Sequence, residues 1–421
     1  MNVVFLVMVI AGLLTAMVRQ VRWEGVGTAP MEALSLAVFK AADGAVTLSI
    51  GLVGTMALFL GLMKVAEAGG LLAVLARLLR PLLVRLFSDV PANDPAMGAI
   101  VMNLSANLLG LGNAATPFGI RAMQHLDRLN PNQGTATNAM VLFLAMNTSS
   151  VTILPTTVIA MRTAAGSSDP AVVVTTTLFA TVCAAVVAIV AAKGLAKFFP
   201  LPSEGGMVPV SPEPGPESLV ADDYPLWVSV GAVLAVLALI PVTVVYGRHL
   251  SPWIVPGLIG LFLAFGAARG VRVYESFVEG ARESFDVALR IIPYLVAVLV
   301  AVAMLRSSGA LEGLTTFLSA LTTPLGLPAE ALPMVLLRPL SGSGAYGLLS
   351  SMLNDPAVGP DSYLGVLVST IQGSTETTFY VLSVYFGAVQ VRRIRHALVV
   401  GLIADAAGVA GAVVICFHLF R

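Results

Sequence analysis

Residues 371–378 read Ile-Gln-Gly-Ser-Thr-Glu-Thr-Thr. They set a carboxylate, an amide and four hydroxyls between two apolar runs, Leu364–Val368 and Phe379–Val389. A carboxylate there can take a proton, hold a cation or accept a hydrogen bond from a solute. The side chains of Gln372, Ser374, Thr375 and Thr377 can replace water around a small polar solute or a sodium ion. Glu376 at the centre of a membrane helix costs about 2.5–3.5 kcal/mol on insertion scales. Polar backbone at that depth survives only where protein covers it or a cavity faces it. The stretch therefore predicts a helix broken in mid-membrane, its polar turn facing a site. A solvated loop between two short segments is the alternative.

A second stretch matches it. Met-Asn-Thr-Ser-Ser-Val-Thr-Ile (146–153) aligns without gaps on 371–378, so Asn147 stands opposite Gln372, Ser149 opposite Ser374, Ser150 opposite Thr375, and Val151 opposite Glu376. Pro155 follows and helps break that helix.

Two interrupted apolar stretches flank these motifs. One runs Met97–Leu126 with Asn103, Ser105, Asn107 and Asn113 at its tip; the other runs Leu332–Leu353 with Arg338, Ser341 and Ser343. Neither has arms near the roughly 20 residues a spanning helix needs, so each predicts a re-entrant hairpin, a single kinked span being the alternative. The glycines at 110, 112, 342 and 344 permit tight turns there. Arg338 offers a planar fork for a carboxylate or phosphate, or a partner for Glu376, or a group that snorkels to an interface. Asp405, in the last apolar run, is a second buried acid, suited to packing or to titration. Asp43 and Asp286 fall near span ends and read as solvated. Together Glu376, Gln372, Ser374, Thr375, Thr377, Asn147, Ser149, Ser150, Asn103, Asn107, Asn113, Arg338, Ser341 and Ser343 are the candidate solute-binding set, with Glu376 and Asp405 as candidate ion-coupling acids.

The elements that must position these residues belong to a membrane. Of 421 residues, 57% are hydrophobic and 11% charged, against about 25% charged in soluble domains; mean hydropathy is +0.91. The composition predicts an all-α polytopic membrane protein, and a zero net charge implies no nucleic-acid partner. Cys183 and Cys416 sit in apolar runs and four scattered histidines share no ligand spacing, so neither metal nor cofactor is expected. Apolar spans near 2–18, 45–63, 137–161, 171–192, 225–246, 252–268, 287–305, 362–388 and 397–419 give about nine crossings. The first reads as a retained span, not a cleaved signal. Leu71–Phe87 carries Arg77, Arg80 and Arg85 at helical spacing and predicts an interfacial helix; Leu311–Leu321 is its weaker counterpart.

Residues 198–223, rich in proline and acid, form a linker. The chain thus divides into a first repeat (1–197), the linker, a connecting helix (224–250) and a second repeat (251–421). With hairpins that do not cross, the connecting helix inverts the second repeat relative to the first, a common transporter plan with its site at the midplane. Hairpins that cross would make the repeats parallel. The side of the N-terminus carries most of the 23 Lys and Arg, which places the N-terminus in the cytoplasm.

Asn-Leu-Ser-Ala-Asn-Leu-Leu-Gly-Leu-Gly-Asn-Ala-Ala-Thr-Pro-Phe-Gly (103–119) with Asn-Thr-Ser-Ser-Val-Thr-Ile-Leu-Pro (147–155) resembles the spore maturation protein A family. Arg-Pro-Leu-Ser-Gly-Ser-Gly-Ala (338–345) with Gln-Gly-Ser-Thr-Glu-Thr-Thr-Phe-Tyr (372–380) resembles the spore maturation protein B family. The chain looks like a fusion of the two across nearly all its length. The resemblance implies a bacterial inner-membrane protein with a nucleoside-recognition, or gate, domain, similar to part of the concentrative nucleoside transporters and of ferrous-iron transporters. The nucleoside transporters' own binding motifs are absent, so their substrate does not carry over.

These readings converge on a secondary transporter or permease for a small polar solute. Its partners would be the bilayer, the solute and Na+ or H+; a homo-oligomer is compatible. The rival is a membrane scaffold or maturation factor that moves nothing. No nucleophile–base set, phosphate loop or metalloprotease motif points to an enzyme.

Overall fold

The computed structural model describes residues 2–110, 112–200, 224–310, 313, 322 and 326–420; the side chains of 112–114 and of some residues inside 226–307 also lie outside the description. The linker from residue 201 onward and the expected helix at 311–321 therefore fall outside the described residues. The described residues are helical, with one isolated bridge, Thr135 to Arg393. Among the described residues, three helices are long and apolar enough to cross a membrane: Pro30–Ala68, Pro170–Phe198 and Ala397–Phe420. Shorter apolar helices accompany them, among them Asn138–Thr148 and Trp253–Ala268.

The chain opens with α1 (Asn2–Val21) and α2 (Pro30–Ala68). At 1.5 Å per residue, the 39 residues of α2 reach about 58 Å, well beyond the expected span at 45–63. It starts on Pro30, whose missing N–H costs nothing in a first turn, and stops where Gly70 takes φ +81°. α3 (Leu71–Leu86) follows as the expected amphipathic helix. α4 (Pro95–Leu108) and α5 (Gly112–Arg128) pack along each other as a hairpin, tied across by Asn103 Nδ2 donating to the Ala115 carbonyl at 2.8 Å. At 14 residues α4 is about 21 Å long, too short to span.

The first broken helix is α6 (Asn138–Thr148) and α7 (Thr156–Ala164), and α8 (Val173–Leu195) completes this half. Beyond the linker lie α9 (Leu226–Ala268) and α10 (Val273–Ser307). Here the sequence reading is corrected. Two crossings were expected at 225–246 and 252–268, but they form one continuous 43-residue helix, α9. Both runs suit a helix, and among the described residues none between them takes the positive φ that a tight reversal uses. α10 also extends past its expected span, to 273–307. The second interrupted stretch forms α11 (Leu332–Leu340) and α12 (Gly342–Leu353), separated by Ser341 in an extended conformation. The second broken helix is α13 (Tyr363–Ser374) and α14 (Thr378–Ala388), and α15 (Ala397–Phe420) ends the chain. Thr137 caps α6 and Ser362 caps α13 through their hydroxyls, at the same place in the two matching motifs.

Long helices from before and after the linker pack against each other. α2 meets α10 at Lys64 with Glu279 (3.5 Å), at Ser49 Oγ donating to the Ala288 carbonyl (2.8 Å), and at Leu34 with Met304. Numbers rise along one helix as they fall along the other, so the pair is antiparallel and meets near both midpoints. α8 and α15 do the same, through Gly411 against Ala180 and Cys183, and His396 Nε2 3.1 Å from the Ala192 carbonyl. α1 lies along α10, with Gly12 against Met304, and the end of α9 lies along α2, with Gly266 against Val65. Small residues at such crossings let backbones approach where no hydrophobic effect drives association. A Cβ on Gly280 would sit 2.5 Å from the Leu60 carbonyl oxygen and 2.5 Å from Lys64 Cβ. Gly280→Val should force α2 and α10 apart and lower the thermal midpoint in mild detergent, by the equivalent of about 1–3 kcal/mol for overpacking. An unchanged midpoint would show that this crossing is not tightly held.

Candidate functional site

The two breaks meet. Glu376 N donates to the Thr148 carbonyl at 2.7 Å, so residues 375–377, between α13 and α14, lie against the end of α6. The carbonyls at the end of α13 would otherwise be unpaired, as the last carbonyls of any helix are. Arg338, buried at 5% exposure on α11, takes them. Its Nε donates to the Gln372 carbonyl at 2.9 Å, one Nη to Thr377 Oγ1 at 2.8 Å, and the other to the Thr375 carbonyl. A cation at the negative end of α13 is also favoured by the helix dipole. The Glu376 carboxylate lies 3.7 Å from the same guanidinium, but its side chain is 56% exposed. The geometry gives Arg338 a first role that was not among the three open to it in the sequence, binding backbone carbonyls, and pairing with Glu376 second.

A cavity of about 90 Å³ opens beside the breaks. Arg338, Gln372, Thr375 and Glu376 line it from one half; Asn107, Thr152, Thr156 and Thr157 line it from the other. Both ends of the buried Gln372 amide lack a hydrogen bond of ordinary geometry. The N-terminal turn of α7 faces this space, with Pro155 at its start.

Next to the cavity lies a polar chain that links the first hairpin to both broken helices. Asn107 Nδ2 donates to Asn147 Oδ1 at 2.9 Å, and Asn147 Nδ2 donates to the Phe143 carbonyl at 2.9 Å. Tyr385 Oη donates to Asn147 Oδ1 at 3.3 Å and lies 3.4 Å from Asn103 Nδ2. Tyr385, on α14, was not a candidate. Its signal, a lone tyrosine at helical spacing in an apolar run, is that of any interfacial or core aromatic. Tyr346, Thr156 and Thr157 were missed for the same reason.

The remaining candidates lie outside the cavity wall. Ser149 Oγ donates to the Ala145 carbonyl and Ser374 Oγ to the Ile371 carbonyl, each closing its own helix end. Ser150 is buried, at 6% exposure. Ser341 Oγ caps α12 by accepting from Gly344 N, and Ser343 beside it is half-buried. The Asn113 side chain lies outside the described residues. Asp405 sits behind the break on α15, accepting from Thr378 Oγ1 at 2.6 Å. Asp43 and Asp286 are exposed.

The ends of the broken helices are fastened by two clips. Arg162, fully buried at the end of α7, donates to the Pro360 carbonyl (2.6 Å), Ser167 Oγ (3.1 Å) and Asp361 Oδ1 (3.1 Å). Ser167 Oγ, Ser168 N and Ser168 Oγ also donate to Asp361, at 2.5–2.7 Å. Partial burial pushes the Asp361 carboxyl up, but these donors and the Arg162 charge outweigh it and hold it below the usual carboxylate range. The other clip joins the loop before α15 to the loop before α6: Ala136 N donates to the Arg393 carbonyl at 2.9 Å, and Arg395 donates to Asn138 Oδ1 at 2.9 Å and to the Phe199 carbonyl.

This fold and site define a polytopic helical membrane protein with polar breaks inside its helices. The family described as Gate, nucleoside recognition, matches residues 49–165 and 288–392, just over half of the chain, and the chain belongs to that family. It is similar to spore maturation protein B of Bacillus subtilis (strain 168), 46% identical over 171 residues, which are 41% of this chain and 95% of that protein. It is equally similar to spore maturation protein A of the same organism, 46% identical over 163 residues, 39% of this chain and 79% of that protein. One chain thus joins regions like both, as the motifs indicated. No solved structure matches it.

Proposed function

We propose that this protein is a secondary transporter or permease that binds a small polar solute between two inverted repeats in the bacterial cytoplasmic membrane, N-terminus inside, and couples to Na+ or H+ through Glu376. One observation carries the reading: Glu376, Arg338, Gln372, Asn107 and Thr156 face one cavity where two broken helices meet. Polar groups inside a membrane are expensive, and lining a solute path is their common use. The antiparallel crossing of α2 with α10, and of α8 with α15, supports the inverted plan, because each pair joins equivalent helices of the two halves. The family description, nucleoside recognition, favours a solute with ring nitrogens and hydroxyls.

A second reading draws on a different observation. Arg338, Asn147 and Asn103 are largely satisfied by protein partners, as a membrane scaffold's polar core would be, and both relatives carry maturation names.

Thermal-shift screening of the detergent-purified protein separates the two. Nucleosides, nucleobases, amino acids and small carboxylates are tested with and without sodium at two pH values. A bound solute stabilises the native state by mass action. Glu376→Gln should abolish that shift, and should lower uptake of the same solute into proteoliposomes roughly tenfold or more, ~1.4 kcal/mol in barrier. Uptake and pH dependence unchanged in Glu376→Gln would end the coupling assignment. A screen in which nothing shifts would favour the scaffold.

A further inference from the structure

Asp405 is an acid with no cation in direct contact, the Arg338 charge acting on it from a distance. It lies in the middle of α15, in an apolar helix, at 6% exposure. Thr378 Oγ1 donates to its Oδ2 at 2.6 Å, and the Thr375 hydroxyl lies beside the group. Its other oxygen, Oδ1, is buried and lacks a hydrogen bond of ordinary geometry. Among the described residues no Lys, Arg or His nitrogen lies within 4.0 Å of it.

The surroundings contain little else that titrates. α6 presents no titratable side chain, and α8 presents Cys183, beside Gly411 and more than a turn along α15. The break brings Glu376, and α13 and α14 otherwise carry only tyrosines, Tyr363, Tyr380 and Tyr385. α11 brings Arg338, whose donors are held by the carbonyls of Gln372 and Thr375 and by Thr377. An ionised carboxylate met only by the hydroxyls of Thr378 and Thr375, with no cation in contact, is costly at this depth. A proton removes that charge. Sodium fits less well: it would need several oxygens around Oδ1, and among the described residues the hydroxyls named at the group are those of Thr375 and Thr378.

We propose that Asp405 is a proton-binding site, which takes up a proton in this conformation and releases it to water when α14 moves away from α15. Thr378 is the switch contact because it is at once the first residue of α14 and the donor to Asp405. Movement of the second broken helix breaks the short bond and admits water to the break. The carboxyl then transfers its proton to that water, leaving a carboxylate facing the positive N-terminal end of α14. Gly401 and Gly408 give α14 and the break their close seat on α15, with Thr378 and Thr375 packed against them. Use of this proton for coupling rests on the transport reading; the site itself does not.

The test is infrared spectroscopy of the full-length protein in lipid, following the C=O band of protonated carboxyls as the pH is lowered from 8 to 5. Asp405→Asn should delete one such band, and Glu376→Gln should leave it in place. Thr378→Val, which keeps the acid, should move the band to higher frequency because its hydrogen bond is gone; this variant also serves if Asp405→Asn fails to fold. Absence of the band, its survival in Asp405→Asn, or its loss on adding sodium at constant pH would each overturn the assignment. The spectrum needs no solute, so its result is independent of whether the screen above finds one.

Discussion

Arg338→Met should destabilise the protein by about 3–5 kcal/mol, the usual cost of removing one side of a buried charged network. Methionine keeps the length and apolar stem and removes every donor. The carbonyls of Gln372 and Thr375 then end α13 with no partner, and Thr377 loses its contact; each unpaired buried group costs about 1–3 kcal/mol. Exposure of the break to water would reduce the loss, so the lower end of that range is the firmer expectation. Arg338→Lys should recover only part of it, since one ammonium cannot reproduce the fork that reaches two carbonyls and a hydroxyl. Thermal and denaturant unfolding in mild detergent measures all three proteins. A thermal midpoint in Arg338→Met equal to the unsubstituted protein's would show that the break does not depend on this side chain.

Arg162→Met should be nearly as damaging, for a reason the sequence hides. The residue is fully buried and ties the end of α7 to Pro360 and Asp361, just before α13. Acid should act on the same clip. Asp361 has its carboxyl held below the usual range, so in the unfolded chain it titrates near 3.9 and in the folded protein lower. Its contribution is complete above about pH 4 and is lost as pH falls from there through the folded value. A stability profile between pH 3 and 6 should therefore fall at its acid end. Asp361→Asn should be less stable at pH 6 and show a shallower fall. A profile in Asp361→Asn parallel to the unsubstituted one would separate the clip from acid sensitivity.

The clips also bear on the transport reading. One joins the C-terminal end of the first broken helix to the entry of the second; the other joins the exit of the second broken helix to the entry of the first. Alternating access would open them in turn. Arg162→Met should then change access to the cavity from one side only, which cysteine labelling at Thr152 can read.

Residue order alone determined much of this protein. The membrane class follows from composition, because long apolar runs can be satisfied only by helices in lipid. The breaks at 149–155 and 375–377 were legible because polar residues are so expensive inside such runs that their spacing marks where the helix stops. The hairpin arms were legible from length, being too short to cross. Tertiary structure decided the rest. α9 runs through two stretches that looked like separate crossings, since nothing local compels a turn between them. Arg338 was visible, but its binding of the carbonyls at the end of α13 was not among the roles the sequence offered, because those carbonyls come around it only in the folded protein. Arg162 and Tyr385 carried no signal, because each looks like an ordinary residue of its helix until a partner some two hundred residues away supplies the other half of the contact; Thr378 stood in the polar motif, but its pairing with Asp405 appears only when α15 packs behind the break.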